Sequence, residues 1–116
     1  MRDHDQKQRS IVIACLEAEG FHNYPSAPRE VEFLRARHRH TFVVRCAFPV
    51  SGLDREKEIF MEQWRVQSWL EQTYGKPCEF GAMSCEMIAL ELVKQFGLEW
   101  AEVLEDGKGG AKVYSR

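Results

Sequence analysis

The chain has 116 residues, 44% of them hydrophobic and 29% charged, the balance of an ordinary globular protein. Its formal charge of −2 argues against nucleic acid as the main partner, and no apolar stretch approaches the ~20 residues that a membrane span needs. This length supports one core, read as a single domain over 1–116 with residues 1–9 as a flexible N-terminal extension.

The N-terminus, "MRDHDQKQRS", is charged and lacks the apolar segment of a signal peptide. Next, "SIVIACLEA" (10–18) starts apolar and β-branched and predicts strand one. "GFHNYPSAPREVEFLRAR" carries Gly20, Pro25 and Pro28 as punctuation, which predicts an irregular excursion with no helix. "HTFVVRCAFPV" (40–50) predicts strand two, after which Ser51, Gly52 and Asp54 mark a turn. In "FMEQWRVQSWLEQT" (60–73) the spacing turns helical, with Phe60, Trp64, Val66, Trp69 and Leu70 as the expected apolar face.

"YGKPCEFGAM" reads as a loop. A second helix opens at Ser84, a good N-cap residue, with Glu86 in the first turn and Gly97 as the stop. Cys85, Ile88, Ala89, Leu92 and Phe96 recur along it at helical spacing. "LEWAEVLED" predicts strand three, "GKGG" a glycine turn and "AKVYS" strand four. The expected architecture is α+β: a four-stranded antiparallel sheet in the order ββααββ, with both helices on one face. Such a sheet leaves two open edges, which predicts a homo-oligomer. Cys15, Cys46, Cys78 and Cys85 form no CxxC pair, so they read as reduced thiols of a cytoplasmic protein.

Two features carry chemistry. The stretch "RARHRHTFVV" (35–44) sets His38 and His40 one residue apart, so a strand presents both on one face. If strands one and two pair as a hairpin, His22 joins them, and three imidazoles from adjacent strand ends suit a tetrahedral zinc ion with an open position. Solvated surface histidines are the plainer reading of the same spacing. The second feature is Glu105. In "WAEVLED" it continues the row Ala101, Val103; parity does not decide which row is buried, and if this one is, a carboxylate enters the interior and requires a partner.

The order of elements and these residues resemble the tunnelling-fold (T-fold) family of 6-pyruvoyl-tetrahydropterin synthases and 6-carboxytetrahydropterin synthases. The tail "SCEMIALELV…LEWAEVLEDGKGGAKVY" (84–114) is similar to the family's Thr/Ser-x-Glu-Asn-Leu-Ala helix, the strand with its glutamate, and the final Ala-x-Tyr strand. His22 and "HRH" match the family's His and His-Gly-His in order, with fifteen residues between His22 and His38. The resemblance implies zinc held by His22, His38 and His40. It implies a purine- or pterin-type ring anchored by Glu105, with Ser84 and Cys85 bordering the ring at a subunit interface. A carboxylate suits that task, because a 2-amino-4-oxo ring presents two parallel N–H donors.

The chain also departs from the family's pattern. The position of the family's catalytic cysteine is Leu34, which has no acid–base chemistry, and no histidine follows His40 to supply the family's Asp-His pair. Arg39 replaces the central glycine of His-Gly-His. Cys46 and Cys85 are the available substitutes for the missing thiol, although buried cysteines more often pack as small apolar groups. The expected function is therefore an oligomeric purine- or pterin-binding protein that sequesters a nucleotide-like molecule. On that reading Arg29, Arg35, Arg37 and Arg39 are candidates for phosphate. The alternative is a zinc-dependent lyase acting on dihydroneopterin triphosphate.

Overall fold

The structure, a computed structural model, describes residues 8–116; residues 1–7 of the expected extension, His4 among them, lie outside the described residues. Strand β1 (Ser10–His22) pairs antiparallel with β2 (His38–Val50) over its whole length, from Ser10 opposite Val50 to His22 opposite His38. Helix α1 (Ile59–Tyr74) follows, then a short strand β3 (Cys78–Gly81), helix α2 (Cys85–Phe96), and the hairpin of β4 (Trp100–Glu105) and β5 (Gly109–Tyr114). The sheet order is β3-β1-β2-β4-β5.

The α+β class holds, but the sheet is five-stranded and mixed rather than four-stranded and antiparallel. The added strand, β3, lies in the segment predicted as a loop and runs parallel to the end of β1, Gly20 to His22. Its apolar residues number only two, Cys78 and Phe80, too few to register as a strand pattern. The excursion after β1 also contains a 310 helix, Arg29–Arg35, where no helix was expected. It buries no residue, so no periodicity announces it. Strand β1 itself runs four residues past its predicted end, because its pairing with β2 continues to His22 and β3 joins it from Gly20, where a side chain would meet Phe80 and Phe42.

Pairing fixes which row of each strand meets the core. Phe42, Val44 and Cys46 of β2 lie opposite Ala18, Leu16 and Ala14 of β1 on one side, and opposite Glu105, Val103 and Ala101 of β4 on the other. These share one face, and both helices cover it through Val66 and Leu70 of α1 and through Cys85, Ile88, Ala89, Leu92 and Val93 of α2. The apolar face expected for α1 divides in two. Trp64 and Phe60 are 66% and 61% exposed, because at 100° per residue Trp64 lies about 160° around the helix from Val66. Glu58 caps α1 by accepting the Met61 N–H, and Ser84 caps α2 by accepting the Met87 N–H. No helix among the described residues is long and apolar enough to cross a membrane.

Candidate metal and ligand site

The buried face that carries the core also carries the site. His22 ends β1 opposite His38, and His40 lies two positions further along the same row of β2. The three rings stand nearly perpendicular to one another, with centroids 4.7, 4.9 and 5.3 Å apart. One ring nitrogen of each lies within 4.8 Å of the others, so the three can hold a metal ion. They come together because the β1–β2 register places the two strand ends side by side, on the face where Phe42 supports His22 and His40 edge-on.

The remaining nitrogens are committed. His22 Nδ1 lies 3.0 Å from the Met83 carbonyl and His38 Nδ1 lies 2.9 Å from the Ala36 carbonyl. His40 Nδ1 lies 2.7 Å from Asp106 Oδ2. Carbonyl and carboxylate oxygens only accept, so each Nδ1 donates and each neutral ring keeps its lone pair on Nε2. This is the outer-shell pattern of metal-binding histidines, in which one nitrogen is fixed so that the other faces the ion.

Glu105 reaches the same place from β4. Its Oε2 is 3.1 Å from His22 Nε2 and its Oε1 is 3.4 Å from His40 Nε2. Neither approach is aligned as a hydrogen bond, and both Nε2 atoms are buried without a hydrogen-bond partner. With lone pairs on both atoms the carboxylate would meet repulsion, which a positive charge between them, a proton or a metal ion, relieves. The donor set therefore fits a metal cation: imidazole nitrogens suit the first-row ions zinc, copper, iron and nickel.

A cleft of about 450 Å3 opens beside the histidines, bordered by His22, His38, Leu34, Ser84, Cys85 and Glu105. Leu34 gives this wall no acid–base group. The Cys85 thiol donates to Glu105 Oε2 across 3.6 Å, and burial, reinforced by that carboxylate, pushes it up to about 12. Burial pushes Cys46 up to about 12 as well. Both are thiols at neutral pH, so neither supplies a ready nucleophile. Ser84 borders the cleft with its hydroxyl engaged as the cap of α2.

Asp106 was not anticipated. The predicted turn at "GKGG" lies one step earlier: Asp106 and Gly107 both have positive φ, and the Lys108 N–H closes the turn onto the Glu105 carbonyl. The Asp-Gly dipeptide was the available signal, since turns with two positive-φ residues favour it. In this conformation Asp106 accepts from the Thr41 N–H and from His40, and the His40 bond holds its carboxyl below the usual range. The arginines are mostly engaged elsewhere. Arg37 pairs with Glu79, Arg39 with Glu19, and Arg35 donates to the Ala27 carbonyl.

No family model matches this chain, and the search of curated proteins returns no match either.

Proposed function

We propose that this chain is a T-fold-type protein that binds a flat 2-amino-4-oxo heterocycle, a purine or pterin, beside a zinc ion held by His22, His38 and His40. The observation that carries the reading is the presence of Glu105 in the cleft that His22 and His38 also line, with its Oε1 3.4 Å from His40 Nε2. Rotated toward the cleft, its two oxygens would accept both N–H donors of such a ring, each bond contributing roughly 1.5–3 kcal/mol. The ring then lies along the start of α2, next to Ser84 and Cys85, with Leu34 as an apolar wall. Zinc in such a site would supply Lewis acidity. The missing acid–base groups favour capture over turnover, and sequestration of a nucleotide-like molecule is the role that suits.

Two further elements of the reading rest on the sheet. Its second face, with Ile13 and Tyr114 exposed, and the unpaired length of β1 support a homo-oligomer. The four free cysteines support a reducing compartment, the cytoplasm. Calorimetry with GTP, pterin and cyclic GMP, and with ADP-ribose as the adenine control, tests the main claim. At least one of the first three should bind, and Glu105→Ala should weaken it by about a hundredfold or more. No binding by the wild type, or undiminished binding by the variant, rejects the reading.

One observation favours a second reading, a zinc-dependent lyase acting on dihydroneopterin triphosphate: three imidazoles beside an open cleft are the donor set of a catalytic metal site. Turnover of that substrate, lost on chelation and restored by zinc, would select it. Binding without turnover selects the first.

A further inference from the structure

The Glu105 carboxylate is asked to do two things at once. Its oxygens straddle the imidazoles, Oε2 toward His22 and Oε1 toward His40, and Oε2 also accepts the Cys85 thiol. Recognition of a ring's paired N–H groups needs both oxygens turned into the cleft, and one carboxylate cannot hold both orientations. The charges point the same way. Three neutral imidazoles leave a divalent cation uncompensated, and a partly buried cation draws the nearest free carboxylate. Asp106 is bound to His40 Nδ1 and the Thr41 N–H, away from the Nε2 side. Glu86 lines the cleft but stands on the exposed side of α2. Glu105 is the carboxylate already in contact with two of the nitrogens, one of them on a side chain only 8% exposed.

We propose that Glu105 is an exchangeable fourth ligand: it closes the three-histidine metal site while the cleft is empty and leaves the metal when a ring claims its oxygens. This rests on the function proposed above and adds its regulation. Metal and ring then weaken each other, and by linkage each lowers the other's affinity by the same factor. Cys85, which donates to Oε2, acts as a positioning residue that biases the carboxylate toward the imidazoles.

The test measures metal and ring separately on the full chain. Glu105→Gln keeps size and polarity but binds a metal poorly. It should raise the zinc dissociation constant, measured by chelator competition, at least about tenfold. It should also change the visible absorption of the cobalt-loaded protein. Pterin should bind the metal-free wild type at least about fivefold more tightly than the zinc-loaded form, and Cys85→Ala should tighten pterin binding to the metal-free protein while that difference persists. An unchanged zinc affinity and cobalt spectrum in Glu105→Gln overturns the ligation. Equal or tighter pterin binding with zinc present overturns the exchange. If neither pterin nor GTP binds in either state, the proposed function fails and the exchange with it, while the zinc and cobalt measurements still decide whether Glu105 is a ligand. Circular dichroism of each variant separates loss of fold from loss of site.

Discussion

At the scale of single residues, the site depends on where each imidazole proton is held. Asp106 fixes the proton of His40 on Nδ1, so Asp106→Asn should raise the zinc dissociation constant about 10–100-fold by chelator competition. Thiol chemistry gives a second expectation. Cys15 is exposed, whereas Cys46, Cys78 and Cys85 are buried, and burial pushes Cys78 up to about 11 and the other two to about 12. Iodoacetamide at neutral pH should therefore label Cys15 before the three buried thiols in the folded Ile13→Lys chain, whose second sheet face is open, read by peptide mass spectrometry. Rapid labelling of Cys85 would contradict the assignment of a protonated, inward-facing thiol there.

The elements that frame the site are held by tight contacts and a few charge pairs. A methyl group at Gly20 would lie 2.8 Å from Phe80 Cε2 and 3.2 Å from the Cys78 carbonyl, which paired backbone fixes. Gly20→Ala should cost about 1–3 kcal/mol in urea denaturation and loosen β3 from β1. The Arg37–Glu79 pair joins β3 to the start of β2 across Phe21, over which the guanidinium stacks at 3.6 Å. The Arg37 hydrogen bond lowers the Glu79 pKa from its ordinary 4.5. A carboxyl whose folded pKa is depressed contributes stability above the unfolded value and loses it as pH falls through the folded one. The protection factors of the β3 amides, with the intrinsic pH dependence of exchange divided out, should thus fall below about pH 4.5, and Glu79→Gln should flatten that dependence. The sequence made the two long strands, both helices and the β4–β5 pair legible because each repeats its pattern over several residues. Strand β3, with two inward residues, and the 310 helix, with none buried, carry no such repetition. The histidine row followed from strand parity, but Asp106 depended on recognising Asp-Gly as the turn centre.

For the molecule as a whole, the unequal use of the two sheet faces matters most. Helices cover one face, while the other leaves Ile13, Cys15 and Tyr114 exposed, and β1 meets β3 only from Gly20 to His22. Apolar surface and an unpaired strand border favour association of copies. Sedimentation should give a mass of several chains, and Ile13→Lys should shift it toward one. A wild type that sediments as a single chain at high concentration would contradict this.

Adjacent residues 105 and 106 work on opposite ends of one ring, Glu105 beside His40 Nε2 and Asp106 on Nδ1. A dipeptide at a hairpin tip thus behaves as a pair of tweezers whose hinge is the peptide bond between them. A single residue inserted between the two acids would part the jaws.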